Sequence, residues 1–332
     1  MGMLKSALET PVPVASNHLS ELWRAVKYLG IGMLLVLIVF GVAFYARPLW
    51  IADMGIDMGL TVDGIHSEYA QVGPYRVHYY VGGHGTPLLL IHGLGSRSED
   101  WAIAMPMFAR SGFRVYAIDL LGCGRTDHPD IEYSVQQQAD MVHQFLNVMH
   151  IQRADVAGWS LGGWIALKLA QDYPQMVQRL VLYDSAGLVF HAKFGPDVFT
   201  PKNKAQLMRL YGLLTPHPKE LPNFVAQDIL RRLSKNYWVI DRTVASGLRG
   251  KDLMTGKLDS IHVPVLIAWG AEDALIPPDT AIEMHRQIPQ SVLEFYAGCG
   301  HIAPAQCADR VIPNTVKFLQ SRPPMAGDTL NY

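Results

Sequence analysis

The sequence has few cysteines and almost no net charge. Its three cysteines, Cys123, Cys299 and Cys307, allow at most one disulfide, which excludes a disulfide-stapled scaffold, and their spacing fits no zinc-binding pattern. The formal net charge is −1, so the chain as a whole lacks the basic surface expected of a nucleic-acid-binding protein. Internal repeats and low-complexity tracts are absent as well. The 332 residues, 49% of them apolar, can therefore bury a sizeable core in one large domain or two small ones.

Near the N-terminus, residues 28–46 contain no charged side chain and are largely aliphatic. At a rise of about 1.5 Å per residue this stretch spans about 28 Å, close to the thickness of the hydrocarbon layer of a membrane. We therefore predict a tail at 1–27, a transmembrane helix at 28–46 and a juxtamembrane connector at 47–64. Two alternatives stay open: a signal peptide cleaved at the small residues 41–43, and a buried core helix.

The charges that flank this stretch predict its orientation. Lys5, Arg24 and Lys27 precede it, whereas only Arg47 follows it closely. Because positive residues favour the cytoplasmic side, we expect a cytoplasmic N-terminus and a globular domain on the non-cytoplasmic side of a single-pass membrane protein.

Residues 65–322 alternate between strand patterns and helix patterns. Strand patterns occur at 75–81, 87–91, 113–118, 154–157, 180–183 and 263–268. Helix patterns occur at 99–110, 134–149, 161–172 and 278–287. This alternation predicts an α/β fold, with a mostly parallel eight-stranded sheet covered by helices on both faces. Residues 323–332 are expected to form a C-terminal tail.

One long insertion breaks the alternation at 188–258. About seventy residues are too many for a loop, and their apolar clusters predict a helical cap. Twelve Lys or Arg residues stand against six acids within 188–260, which gives this segment a net charge of +6. Such an excess usually marks a solvated face, and the alternative is contact with an anionic membrane surface.

The sequence Gly-Trp-Ser-Leu-Gly at 158–162 follows a strand pattern and precedes a helix pattern. Strand, sharp turn and helix together are the context of a nucleophile elbow. Glycines at 158 and 162 fit this turn because a Cβ at either position would collide with the neighbouring strand and helix. We predict that Ser160 stands at the carboxyl end of the sheet as a nucleophile; an ordinary Gly-Ser turn is the alternative.

A serine nucleophile needs a histidine base and an acid that orients the histidine. Among thirteen histidines, His301 is the candidate base because it lies in a glycine-containing loop after a strand pattern late in the chain. Asp273 is the candidate acid, since it also follows a strand pattern, and its neighbour Glu272 is expected to be solvated. Asp184, at the end of an earlier strand, is the alternative acid.

The same chemistry needs two N–H donors for an oxyanion. Leu161 directly follows the nucleophile, so its backbone N–H is one candidate. Leu94 is the other, in the loop His-Gly-Leu-Gly that follows the strand pattern at 87–91. His92 at the start of this loop is expected to shape the loop rather than to react.

With these motifs the sequence resembles the α/β-hydrolase superfamily over about residues 65–320. The motifs that carry the resemblance are His-Gly-Leu-Gly at 92–95, Gly-Trp-Ser-Leu-Gly-Gly at 158–163, Trp-Gly-Ala-Glu-Asp at 269–273 and Gly-Cys-Gly-His at 298–301. The order Ser160, Asp273, His301 is that of the α/β-hydrolase triad. Residues 119–126 are similar to a structural loop of the same family.

An N-terminal span combined with a cap resembles the monoacylglycerol lipase and carboxylesterase branch. The resemblance implies a serine hydrolase of lipid-derived carboxylic esters, with no metal or organic cofactor and no nucleic-acid partner. The membrane is expected as a partner through the N-terminal helix and the basic cap. Related enzymes that hydrolyse carbon–carbon bonds or make peracids with the same triad stay open as alternatives, as does a non-catalytic ligand-binding homologue.

Overall fold

The computed structural model describes residues 16–332, which fall into two units divided between Pro48 and Leu49. The first unit contains helix α1 (Ser16–Ala46). Its stretch Ser20–Ala46 is long and apolar enough to cross a membrane. The helix begins before residue 28 because no glycine or proline interrupts residues 16–27, so this part of the predicted tail is helical. Residues 1–15 of that tail lie outside the described residues.

Residues 47–64 were predicted as a juxtamembrane connector, for which the sequence indicated no secondary structure. They contain helix α2 (Pro48–Val62), and from Leu49 onward this helix belongs to the second unit. Leu60 is buried in the hydrophobic core of that unit. Asp53 and Asp57, four residues apart, lie on the same face of the helix, and Asp57 pairs with Arg125 at 2.8 Å. The apolar and acidic residues of α2 therefore pack it against the globular unit.

A mixed sheet of nine strands forms the centre of the second unit. The strands are β1 (Ile65–Val72), β2 (Tyr75–Gly83), β3 (Thr86–Ile91), β4 (Phe113–Ile118), β5 (Ala154–Trp159), β6 (Val177–Tyr183), β7 (Val265–Gly270), β8 (Val292–Tyr296) and β9 (Thr329–Asn331). Their spatial order is β1-β2-β4-β3-β5-β6-β7-β8-β9, and all neighbours are parallel except β1 with β2 and β2 with β4. The predicted α/β fold with a mostly parallel sheet is confirmed.

The strand count differs from the eight predicted. The additional strand, β9, lies within the residues predicted as a C-terminal tail and pairs in parallel with β8, Leu293 opposite Thr329. Three residues are too short to produce a recognisable strand pattern, because alternation needs several residues to be visible. Only the pairing with β8 defines this strand.

Helices cover both faces of the sheet. The remaining helices are α3 (Ala104–Arg110), α4 (Val135–Val148), α5 (Leu161–Asp172), α6 (Lys204–Leu214), α7 (Asn223–Ser234), α8 (Tyr237–Leu248), α9 (Asp279–Gln287), α10 (Ala303–Gln306) and α11 (Ala308–Gln320). Successive strand residues face opposite sides, so Val156 belongs to one core cluster and Ala157 to the other. Both clusters exclude water, which explains the continuous apolar runs of the central strands.

Helices α6, α7 and α8 lie between β6 and β7, in the segment predicted as a cap. Helix α7 contacts helix α2 at two points. The backbone N–H of Leu49 donates to Asp228, and the guanidinium of Arg232 pairs with Asp53 at 2.7 Å. Asp53 also pairs with Arg97 at 2.5 Å, so one carboxylate joins α2, the cap and the loop after β3. Burial opposes ionisation of Asp53, but the two guanidinium groups outweigh it and lower the pKa of the carboxyl.

Substitution of Asp53 by Ala should destabilise the protein measurably. Both arginines lose a bidentate partner while they are still partly buried, so we expect the free energy of unfolding to fall by about 1–3 kcal/mol. Urea unfolding of the full chain in detergent, followed by tryptophan fluorescence, measures this change.

Asp63→Ala is the matched control, because Asp63 follows the same helix and pairs with Arg110 in a more exposed position. An exposed pair contributes little, so the control should change stability by less than about 0.5 kcal/mol. Equal small losses in the two variants would contradict the proposed role of Asp53 in joining three elements.

Candidate active site

Ser160 lies in a sharp turn between β5 and α5, with φ 55° and ψ −118°. A Cβ at Gly158 would lie 2.2 Å from the carbonyl oxygen of Gly162, and a Cβ at Gly162 would lie 2.2 Å from that of Ile91. Neither distance is possible for real atoms, so the turn requires glycine at both positions. Packing of β5, α5 and β3 against one another stabilises Ser160 in this strained backbone conformation.

The structure brings Ser160, His301 and Asp273 together in one hydrogen-bonded chain. The Oγ of Ser160 lies 2.8 Å from Nε2 of His301, and Nδ1 of His301 lies 2.8 Å from Oδ2 of Asp273. Only 9% of Ser160, 1% of His301 and 4% of Asp273 is exposed, so bulk water does not compete for these bonds. In this arrangement the imidazole can accept the serine proton while the carboxylate holds the ring.

Backbone donors fix the Asp273 carboxylate. Its Oδ1 accepts hydrogen bonds from the N–H groups of Leu275 and Ile276, at 2.8 and 2.9 Å. The other oxygen, Oδ2, is thereby directed at His301. The neighbouring Glu272 is exposed, as the sequence predicted. The carboxylate therefore has three hydrogen-bond partners, and the two backbone donors hold it in one orientation.

Asp184, the alternative acid, makes no hydrogen bond to the imidazole among the described residues. Its carboxyl accepts from the N–H groups of Gly270 at 2.8 Å and Ala303 at 3.1 Å. It therefore joins the end of β7 to the loop that carries His301. Burial, and then the neighbouring charge of Asp273, raise the pKa of Asp184 well above its ordinary value.

The loop that carries His301 is held by contacts that the sequence did not indicate. Cys299 and Cys307 form a disulfide across it, within the limit of one bridge set by the cysteine count. The indole Nε1 of Trp159 donates to the carbonyl oxygen of His301 at 2.6 Å, and the N–H of Gly300 donates to the Gln306 side chain. The only sequence signal for these partners was their proximity to the serine and histidine motifs.

The two predicted oxyanion donors lie beside Ser160. Leu161 is the first residue of α5, where N–H groups have no partner within the helix. A Cβ at Gly93 would lie 3.3 Å from the Cβ of Ser160, so the loop with Leu94 lies against the serine. Leu94, Ser160 and Leu161 line the same cavity, and within residues 16–332 neither leucine N–H has a hydrogen-bond acceptor.

His92 shapes this loop through both ring nitrogens. Its Nδ1 lies 2.8 Å from the carbonyl oxygen of Gly93, and its Nε2 accepts from the N–H of Leu120 at 3.1 Å. Because Nε2 accepts, the ring proton lies on Nδ1 and is donated to Gly93. The imidazole is fully buried, so its position depends on both bonds.

Asp119, which directly follows β4, also holds the loop after β3 in place. Its carboxylate accepts from the N–H groups of Ser98 at 2.7 Å and Arg125 at 2.8 Å, and from His78. Burial raises the pKa of Asp119, but the hydrogen bond from His78 and the other favourable interactions lower it to about 2. Ionised Asp119 therefore joins the loop after β3 to the loop after β4.

Two cavities meet at Ser160 beneath the cap helices, with volumes of about 220 and 380 Å³. Their walls are mostly Leu, Ile, Val, Phe and Trp, and no Lys or Arg lines either of them in the part of the chain that the structure describes. Among residues 16–332, no cluster of three or more His, Cys, Asp and Glu side chains could hold a metal ion. The site therefore combines one buried polar chain with apolar walls.

This fold and this arrangement define the class of protein. The chain matches the α/β hydrolase fold family over residues 86–306, more than half of its length, and it belongs to that family. Two of its relatives are named as a hydrolase and a lipase, which supports hydrolase activity for this chain. The resemblance stated from the four sequence motifs is thereby confirmed.

Particular relatives are hydrolases of different substrates. The chain is 30% identical to a 2-hydroxymuconate semialdehyde hydrolase of Pseudomonas putida over 259 residues, 74% of this chain and 91% of that protein. It is 26% identical to Lipase 1 of Psychrobacter immobilis over 249 residues, 70% and 77% of the two chains. The solved structure of a bacterial membrane phospholipase A shares the fold, with a TM-score of 0.71, 22% identity and coverage of 88% and 99%.

The two buried aspartates should differ in their effect on turnover. Asp273→Asn removes the acceptor that holds the His301 tautomer, so we expect kcat to fall by about 10⁴. Asp184→Asn keeps an acceptor oxygen for one of the two backbone N–H groups, so we expect less than about a tenfold loss. Steady-state rates on p-nitrophenyl octanoate measure both effects. Similar losses in the two variants would contradict the distinct roles of these carboxyls.

Proposed function

We propose that this protein is a serine hydrolase that cleaves carboxylic esters with medium or large apolar acyl groups derived from lipids. The observation that carries the proposal is the hydrogen-bonded chain of Ser160, His301 and Asp273 opening into apolar cavities. A polar reacting centre inside apolar walls suits an ester bond flanked by hydrocarbon.

In the proposed reaction, His301 takes the proton of Ser160 as its oxygen attacks the ester carbonyl. Asp273 stabilises the imidazolium, and the N–H groups of Leu94 and Leu161 bind the oxyanion. The imidazolium then protonates the departing alcohol, which leaves the acyl group on Ser160. Water attacks this acyl-enzyme with His301 again as base, and the acid is released.

Hydrolysis of a carbon–carbon bond is the second candidate, because two relatives are named as hydrolases of a 2-hydroxy-6-oxo-dienoic acid and of 2-hydroxymuconate semialdehyde rather than of an ester. The first is a 2-hydroxy-6-oxo-6-(2'-aminophenyl)hexa-2,4-dienoic acid hydrolase, 27% identical to this chain, and its named substrate is a carboxylic acid. A carboxylate needs a cation or several donors when it is buried. Neither described cavity has a lysine or arginine in its wall, which favours an uncharged ester as the substrate.

A non-catalytic ligand-binding role and peracid formation are less well supported. A binding protein gains nothing from a strained serine hydrogen-bonded to a histidine, since strain costs stability. Peracid formation needs the same residues, so substrate tests rather than geometry must separate it from ester hydrolysis.

Ester hydrolysis and its acyl preference can be measured directly. On p-nitrophenyl esters from acetate to palmitate, we expect activity to peak at eight or more carbons, because the apolar cavity stabilises longer chains. Ser160→Ala should lower kcat by about 10⁶, whereas Ser185→Ala, a buried serine nearby, should stay within about tenfold. Labelling of Ser160 by a fluorophosphonate without turnover of any ester would favour carbon–carbon hydrolysis instead.

We also propose that α1 anchors the protein as a single-pass span, with the α/β unit on the non-cytoplasmic side. The apolar stretch Ser20–Ala46 supports a span, and the excess of positive residues before it supports this orientation. The disulfide between Cys299 and Cys307 also suits that side, since disulfides rarely persist in the cytosol. Anchoring would place the site close to lipid substrates.

The basic cap gives weaker support for membrane binding. Three of its arginines, Arg232, Arg242 and Arg249, pair with acids outside the cap. These pairs neutralise part of the excess charge that the sequence displays. The proposed membrane attachment therefore rests on α1.

An uncleaved span predicts a definite biochemical result. The mature protein should retain its N-terminal residues by intact-mass measurement and should stay with membranes in alkaline carbonate, because a buried apolar helix is not released by charge changes. A mature chain that begins just after residues 41–43 and is released as a soluble protein would instead establish the signal peptide.

A further inference from the structure

Different residues line the two cavities at Ser160, so the site has two apolar chambers. Both are lined by Leu94, Ser160, Phe199 and Leu275, so they meet at the reacting serine. We call the cavity of about 380 Å³ the large chamber and that of about 220 Å³ the small chamber. A substrate centred on Ser160 can therefore extend in two directions.

The reacting groups are divided between the chambers. Leu161, one of the proposed oxyanion donors, lines the large chamber only, together with side chains such as Trp164 and Val244. His301 lines the small chamber only, together with Leu207 and Leu210 of helix α6. The base is therefore reached from one chamber, and the helix N-terminus beside the serine is reached from the other.

This division assigns the two halves of an ester. When the tetrahedral intermediate collapses, the proton on Nε2 of His301 passes to the alkoxide oxygen as the bond from carbonyl carbon to alkoxide breaks. The departing alcohol must then lie on the His301 side, in the small chamber. The acyl carbon stays on Ser160 near Leu161, so the acyl chain extends into the large chamber.

The small chamber is apolar where an alcohol group would enter it. Leucines of α6 and α7 form its inner wall, among them Leu207, Leu210 and Leu233. Apart from Ser160 and His301, its polar side chains are Ser96, Asp100 and Tyr211. Asp100 is exposed and already accepts a hydrogen bond from Ser96, and Tyr211 is half-buried. Free hydroxyls of a glycerol group would lose water against leucine walls, which is unfavourable without hydrogen-bond partners.

We propose that the substrate is apolar on both sides of the scissile bond: an ester of a long-chain acid with a long-chain or otherwise bulky apolar alcohol, rather than a monoacylglycerol. This inference rests on the proposed ester hydrolysis. It goes further in assigning the small chamber, and with it α6, to the recognition of the alcohol.

A series of octanoate esters tests the alcohol preference with the full chain in detergent micelles. Ethyl, butyl and octyl octanoate have alcohols of similar acidity, so differences in kcat/KM report binding of the alcohol chain. We expect kcat/KM to rise by about fourfold for each methylene that enters the small chamber. Monooctanoylglycerol should be at least about tenfold poorer than butyl octanoate.

The outcomes separate this inference from the proposed function. If p-nitrophenyl octanoate is hydrolysed but kcat/KM is the same for ethyl, butyl and octyl octanoate, the apolar alcohol chamber is overturned and ester hydrolysis stays intact. The same conclusion follows if monooctanoylglycerol is the best substrate. Absence of hydrolysis of every ester would remove the proposed function itself.

Two matched substitutions test the assignment of the chambers. Leu210→Trp should fill the small chamber, so octyl octanoate should lose about tenfold or more in kcat/KM while ethyl octanoate changes little. Val244→Trp should fill the large chamber and shorten the preferred acyl chain without changing the preference for alcohol length. An unchanged circular dichroism spectrum and an unchanged urea unfolding midpoint verify that each variant is folded. The opposite pairing of effects would refute the assignment.

Discussion

The strained turn at Ser160 is the constraint on which the rest of the site depends. It exists because β3, β5 and α5 approach one another so closely that no side chain fits at Gly158 or Gly162. Packing of the central sheet supplies the energy that holds the serine in a left-handed conformation. Strands β5, β7 and β8 are parallel, so their carboxyl ends lie at the same edge of the sheet. The loops that follow β7 and β8 therefore bring Asp273 and His301 within reach of the serine oxygen.

The surroundings of the polar chain decide which reaction it can serve. Relatives of this chain include a lipase and a hydrolase of a dienoic acid, so the fold and the serine do not by themselves specify a substrate. Here the cap supplies apolar walls, and the cavities lack the positive charge that a buried carboxylate would require among the described residues. We therefore infer that the residues lining the cavities, many of them in α6, α7 and α8, set the specificity rather than the reacting groups.

Helix α2, which belongs to the second unit from Leu49 onward, contacts this cap. Its Asp53 carboxylate contacts Arg232 of α7 and Arg97 of the loop after β3, and the loop also contains Leu94. One residue that precedes the sheet thus contacts both the cap and the loop that carries a proposed oxyanion donor. Sequence composition suggested only a connector here, because an ion pair shared by three elements has no local signal.

The sequence by itself determined the apolar N-terminal stretch, the α/β alternation, and the order of serine, aspartate and histidine, since each depends on local periodicity or on a short motif. Only the tertiary structure decided that Asp273 rather than Asp184 bonds to His301, because both aspartates follow strands and their side-chain directions depend on neighbouring backbone N–H groups. It also decided the ninth strand, the packing of α2 and the two chambers. These features arise from contacts between residues far apart in sequence, which no local pattern records.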